Sequence, residues 1–292
     1  MKPLENNYWT SSGHGKDWKS TFAEWPTTHK SFYQESIKTA ERITDERQGN
    51  ILVMYSGGID SEYVLNVFRE IGAPVTPVLI KLSSALNYHD FRYAAEYCDR
   101  NCIEPIVVDV NFEEFLESGK MLDITKEMKT HVYHYAALAH VCSQLDGTVV
   151  IGSGEPDIRL NPETGQWDVV LYEYDFALGR YFENHGIHGT PYFPIYTPEM
   201  MMSFLSHPRM KELAENKHPG KLSSVSSKHI IYTDESNYDI VRRPKYTGYE
   251  IIEQQNISKH DAFKEIAELR KNYNGVHNEN YFNFISPWSQ HD

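Results

Sequence analysis

Residues 51–61 read ILVMYSGGIDS, a five-residue apolar run that ends in a serine and two glycines. Behind it Tyr63, Val64, Val67, Phe68 and Ile71 recur at helical spacing, and the pattern stops at Gly72. Strand, tight loop, helix is the unit this predicts. Two glycines let the backbone turn sharply and expose amide hydrogens, and the helix that follows begins with its positive end at the same place. Phosphate oxygens fit such a concavity. Ser56 and Ser61 add hydroxyl donors, while Asp60 repels phosphates unless a divalent cation such as Mg²⁺ stands between them. The loop therefore reads as a site for a metal-bound nucleotide, the plainer alternative being a glycine pair that serves backbone geometry alone. Neither GxxxxGKS/T nor GxGxxG is present in it, which sets aside the two commonest phosphate loops.

Outward from this unit the periodicity alternates. PVTPVLIKL (74–82) is a second strand, and a helix over about 90–100 carries Phe91, Ala94, Ala95 and Cys98 on one side. PIVVDV (105–110) is a third strand, a short helical piece covers 112–116, and a longer helix over about 125–145 places Met128, Val132, Tyr135, Ala139 and Cys142 on one face. Gly147 breaks it and TVVIG (148–152) returns to strand, while SFYQESIKTAERITD (31–45) is helical upstream. Four apolar strands separated by helices predict an α/β fold, a doubly wound, mostly parallel sheet with helices on both faces over roughly 31–160. Such sheets bind ligands beyond the carboxyl ends of their strands, where the loops SGGIDS and GSGEPD leave.

Residues 1–30 form an N-terminal arm whose Trp9, Trp18 and Trp25 are expected to dock on the body. Residues 161–292 are irregular and read as an acceptor-side and C-terminal helical region packed on the first domain. Within them 200–205 is helical, 217–227 is a polar loop, HIIYT (229–233) is strand-like, and 257–273 is an amphipathic helix with Ser258 and Asp261 as a capping pair. The 292 residues carry a formal charge of -13, with 40% hydrophobic and 13% aromatic residues. This describes a folded acidic protein and disfavours indiscriminate binding to polyanions. Three cysteines, Cys98, Cys102 and Cys142, cannot build a disulfide scaffold or a cysteine-rich zinc site. With no signal-peptide pattern and no run of 18 apolar residues in the sequence, a cytoplasmic protein without a membrane partner is expected.

SGGIDS in a strand-to-helix turn resembles the SGGxDS pyrophosphate loop of the PP-loop ATP pyrophosphatases, the adenine nucleotide alpha-hydrolase-like superfamily with its HUP-type fold. Every fixed position matches, and the likeness covers about residues 50–160. It implies ATP and Mg²⁺ as cofactors, and cleavage between the α and β phosphates with adenylation of an acceptor oxygen that a nitrogen or sulfur nucleophile then displaces. On this likeness Ser56, Gly57, Gly58, Ile59, Asp60 and Ser61 hold the pyrophosphate and its Mg²⁺, and the end of the second strand, with Lys81, borders adenine. GSGEPD looks like the family's acidic loop. Its Glu155 or Asp157 would ligate a second metal or position the acceptor, or else both are solvated turn residues, and Arg159 is an anion contact.

Charge develops on the phosphoryl oxygens in such a reaction, so the chain must supply cations. Lys81, Arg159, Lys228, Arg242, Arg243 and Lys245 are candidates, and RRPKYTGYE (242–250) is the densest basic stretch. Lys228 and Arg243 join Asp60 as the foremost catalytic candidates, although the stretch also reads as a solvated charge cluster. Three cysteines exclude the four-cysteine zinc cluster of the 7-deazaguanine-forming relatives. The nitrogen-type branches, asparagine-synthetase-like and NAD-synthetase-like, resemble the chain more, which implies a small-molecule carboxylate acceptor and an ammonia or amine donor. Lys2 stands where the family's glutaminase domain opens on a cysteine, so free ammonia, a separate glutaminase or an amine on the acceptor is expected. Sulfur transfer, tRNA modification and non-catalytic ATP binding are the other readings, and tRNA and a homo-oligomer stay open as partners. His131 and His134, three apart on a predicted helix, are more economically helix histidines than a metal pair.

Overall fold

The computed structural model of the chain describes residues 9–22, 26, 28–215, 224–244, 248, 251 and 261–285. The described part of the arm holds an antiparallel hairpin of β1 (Trp9–Ser12) and β2 (Lys19–Phe22). Trp18 docks as expected, 3% exposed with its ring 5.3 Å from Phe176; Trp25 and the side chain of Trp9 lie outside the described residues. α1 (Phe32–Glu46) follows, started by Ser31, whose hydroxyl accepts from the Gln34 amide at 3.3 Å.

Next come β3 (Ile51–Met54), α2 (Ile59–Glu70), β4 (Val75–Leu82), α3 (Tyr88–Arg100), β5 (Ile106–Val110), α4 (Phe112–Glu117), α5 (Lys120–Glu127), α6 (His134–Cys142) and β6 (Thr148–Val150). The single long helix expected over 125–145 is two helices. Lys129 takes φ +52° between them, and Arg180 caps the break, its Nε donating to Met128 O at 2.9 Å and its Nη2 to Lys129 O at 3.2 Å. A left-handed lysine has no local sequence signature, so apolar periodicity ran straight across the turn. His131 sits in this turn, with Nδ1 2.7 Å from Tyr273 O.

The second half supplies β7 (Asp157–Leu160), β8 (Trp167–Tyr172), α7 (Ala177–His185), β9 (Gly189–Thr190), α8 (Pro198–Leu205), α9 (Pro208–Glu215), α10 (Ser224–Thr233), α11 (Asp261–Asn272), β10 (Val276–Asn280) and α12 (Tyr281–Ile285). HIIYT lies in α10 and is not a strand. A short apolar run does not distinguish a strand from a buried helix turn, and here Ile231 and Tyr232 bury on one side, with Tyr232 stacked on Tyr63 at 4.5 Å. Asp261 opens α11, and Ser258 of the expected capping pair lies outside the described residues.

The main sheet has five strands in the order β5-β4-β3-β6-β9, all pairs parallel. This is the predicted α/β fold, a mostly parallel sheet flanked by helices. β3 is central and buried along its whole length, as a parallel strand covered on both faces must be. The chain crosses from β3 to β4 on one side and returns to β6 on the other, which makes the space above β3 and β6 the switch point of the sheet. β9, from beyond residue 160, extends the sheet past β6. A second sheet, β10-β8-β7, is antiparallel.

Phe68 of α2 is fully buried, its ring 5.7 Å from Phe193 of the second half, within one continuous apolar core that runs from Trp18 to Ile285. Phe68→Ala is expected to lower stability by about 3–5 kcal/mol, the usual cost of deleting a core aromatic ring. Urea denaturation followed by circular dichroism would show this as a lower midpoint in a single transition; an unchanged midpoint would contradict the packing.

Candidate active site

The loop between β3 and α2 crosses the switch point. Gly57 has φ +79°, and a Cβ there would stand 2.8 Å from Asp90 O, so glycine is required both for conformation and for space. Ser61 Oγ donates to Gly58 O at 3.1 Å and accepts from the Ser56 amide at 3.2 Å, while Ser56 Oγ accepts from the Gly58 amide at 3.4 Å. The two serines thus tie the loop across itself, and α2 starts at Gly58 with no side chain capping its amides. Ser56 remains exposed, whereas Ser61 is buried.

Asp60 faces α10. Lys228 Nζ is 2.9 Å from Asp60 Oδ1 and also pairs with Glu155 Oε1, and the Tyr232 hydroxyl donates to Asp60 Oδ1 at 3.0 Å. Three segments far apart in sequence therefore converge on one ammonium. Gly152 makes the approach possible, since a Cβ there would meet Asp60 O at 2.9 Å. Burial works against the Lys228 charge, but Glu155 and Asp60 more than offset it and hold the ammonium above the ordinary lysine range. Burial, reinforced by Asp60 and opposed by Lys228, pushes the Glu155 carboxyl up.

Arg243 reaches the same loop from behind. Its Nη1 donates to Gly57 O at 3.1 Å and to Glu62 Oε2 at 2.9 Å, and Glu62, 1% exposed, also accepts from the Tyr55 hydroxyl at 3.0 Å. The other anticipated residues lie elsewhere. Lys81 pairs with Asp109 at 3.4 Å across β4 and β5. Asp157 pairs with Arg159 at 2.9 Å, and that guanidinium lies 5.0 Å over the Tyr172 ring. Arg242 is exposed, and Lys245 lies outside the described residues.

A cavity of about 370 Å³ opens beside Ser56, Asp60 and Ser61, with Ile80, Phe91 and Leu138 among its apolar walls. Asn87 seals its β4 edge, accepting from Leu82 N at 2.9 Å and donating to Ile80 O at 2.8 Å. Ile59 starts α2 next to this opening. Among the described residues no group of three or more His, Cys, Asp or Glu stands close enough to hold a metal ion. Mg²⁺ needs no such group, because it is held by one or two carboxylates together with substrate phosphates and water. Asp60, with Glu155 across from it, is a donor set of that kind.

Tyr232, Glu62, Tyr135 and Asp175 were not anticipated. Tyr232 was hidden by the strand-like look of HIIYT, and Glu62 by its place in the first turn of an ordinary helix. Asp175 sits in the aromatic run LYEYDF, where nothing local marks a buried acid. Burial, then the Glu155 charge, pushes its carboxyl up to about 7, although the Tyr135 hydroxyl, 3.5 Å away, works in the opposite direction.

A carboxyl raised on folding binds its proton more tightly in the native state, so its contribution is complete below its ordinary range and is lost as pH rises through about 7. Asp175→Asn removes this loss. Between pH 4 and pH 8 the wild type should fall by about 3–4 kcal/mol relative to the variant, as read from denaturation midpoints at each pH; parallel pH profiles would contradict the placement of Asp175.

No family model matches the chain, and no curated protein matches it. Among solved structures it is similar to a predicted subunit of a tRNA methyltransferase from Methanocaldococcus jannaschii, at 16% identity and a TM-score of 0.32 over 68% of this chain and 98% of that one. It is also similar to NMN synthetase from Francisella tularensis, at 15% identity and a TM-score of 0.34 over 79% of this chain and 94% of that one. Overlaps of this size identify no relative for the chain.

Proposed function

We propose that the chain is an ATP pyrophosphatase of the PP-loop type, which adenylates a carboxylate acceptor for displacement by ammonia or an amine. The observation that carries this reading is the meeting of Asp60, from SGGIDS, with Lys228 and Glu155 at the carboxyl ends of β3 and β6, beside a cavity of about 370 Å³. Ser56, Gly57, Gly58, Ile59 and Ser61 line or shape the turn that receives the β and γ phosphates. The apolar cavity takes the base. Bound Mg²⁺ would neutralise charge on the departing pyrophosphate, with Asp60 as its protein ligand and Glu155 next in reach.

In the first step an acceptor oxygen attacks the α phosphorus, the bond to the α–β bridging oxygen breaks and pyrophosphate leaves. Lys228, charged and held between two carboxylates, would meet the negative charge that grows on the α-phosphoryl oxygens. In the second step nitrogen attacks the adenylated carbonyl and AMP leaves. Residues 31–160 carry the nucleotide and 161–292 the acceptor side. Asp157, Arg159 and Lys81 have no part in the transfer on this reading. The nitrogen donor is free ammonia, the acceptor's own amine or the product of a separate glutaminase.

Purified protein with ATP, Mg²⁺, ammonia and a panel of carboxylates is expected to release AMP and pyrophosphate in equal amounts. Asp60→Asn and Lys228→Ala should each slow this by roughly 100-fold or more, the scale of losing one electrostatic group from a transfer site. ADP and phosphate as products, or full turnover in Asp60→Asn, would overturn the proposal.

A further inference from the structure

Behind the phosphate turn, residues 234–244 run from the end of α10 along α2. The Tyr238 hydroxyl donates to Glu70, which also accepts from the Tyr33 hydroxyl, and the Tyr238 ring lies 5.8 Å from Tyr63. Ile240, 4% exposed, offers its carbonyl to His229 Nε2 at 2.8 Å. The segment thus arrives at the loop already fixed, and its last contact is Arg243. That guanidinium is 12% exposed, pairs with buried Glu62 and lies 5.3 Å over the Tyr93 ring of α3. The second oxygen of Glu62 is buried with no hydrogen-bond partner among the described residues. Among its partners in the described residues are the Glu62 carboxylate, at 2.9 Å, and one backbone oxygen, Gly57 O, at 3.1 Å.

The backbone partner is the informative one. A trans peptide carries its N–H opposite its C=O, and no cis peptide bond occurs in the described chain. Drawing Gly57 O toward Arg243 therefore turns the Gly58 N–H the other way, toward Ser56 Oγ at 3.4 Å and the mouth of the loop. Gly57, at φ +79°, has the freedom to let this peptide rotate if nothing holds it.

We propose that Arg243 is a positioning residue, which clamps the Gly57 carbonyl and so aims the Gly58 amide at the pyrophosphate site. It acts through the backbone and does not touch the reacting atoms. Glu62 holds the guanidinium in place, and the strap at 234–244 delivers it. The ligand aimed at, pyrophosphate, rests on the function proposed above; the clamp itself does not.

Two measurements separate them. Amide exchange over residues 55–61 in the nucleotide-free protein reads the clamp, and titration with inorganic pyrophosphate and Mg²⁺ reads the site. Arg243→Met is expected to raise exchange in the loop and weaken pyrophosphate binding, each by roughly tenfold, the scale of one charge-assisted hydrogen bond. Added guanidinium ion should restore both, a rescue that lost packing would not show. Arg243→Lys should recover only part, since an ammonium lacks the planar face that lies over the Tyr93 ring. If Arg243→Met does not fold, Glu62→Gln serves instead and should loosen the loop to an intermediate degree. Exchange unchanged in a folded Arg243→Met protein would overturn the clamp. Exchange raised as expected, in a protein that binds no pyrophosphate even as wild type, would support the clamp and remove the function it was assigned to.

Discussion

A single ammonium held by two carboxylates organises the upper edge of the sheet. Lys228 comes from α10, Asp60 from the first turn of α2 and Glu155 from the loop after β6, and none of the three is near another in sequence. Isolated in a partly buried place, each would carry a desolvation cost, and their mutual attraction works against it. The pairing therefore fixes where α10 sits on the sheet. It also leaves a charged group, already desolvated on one side, at the point where the chain crosses between β3 and β6.

Everything that shapes this point is a matter of close approach. Glycine at 57 lets the loop pass Asp90, and glycine at 152 lets the loop after β6 reach the backbone of Asp60. Tyr232 stacks on Tyr63 and donates to Asp60, so α10 is tied to α2 by an apolar face and a polar tip of the same side chain. The second half of the chain is part of the site on these contacts, and the continuous core between the halves holds it there.

The sheet was legible in the sequence because parallel strands buried on both faces announce themselves as unbroken apolar runs, and ILVMY and TVV are such runs. The tight turn after β3 was legible because Ser56, Gly57 and Gly58 are consecutive between an apolar run and a helical pattern. What could not be read was anything assembled from distance. Asp60, Lys228 and Glu155 were each singled out, but no local pattern said that they meet, and none said that Arg243 would spend itself on Glu62 and Gly57 O. The break at Lys129 was invisible for a related reason: it is held by Arg180, some fifty residues away, and not by a glycine or proline. HIIYT failed in the opposite direction, being too short to show its period.

On the proposed function SGGIDS binds the pyrophosphate half of a nucleotide whose base enters the adjoining cavity. A crystal structure with Mg²⁺ and an ATP analogue carrying a methylene group between the α and β phosphorus atoms tests it directly. The expected density puts the β phosphate on the Gly58 amide and the Ser56 and Ser61 hydroxyls, the base against Ile80 and Phe91, and the α phosphate facing Lys228. A triphosphate bound away from residues 56–61, or a base lying outside that cavity, would contradict it.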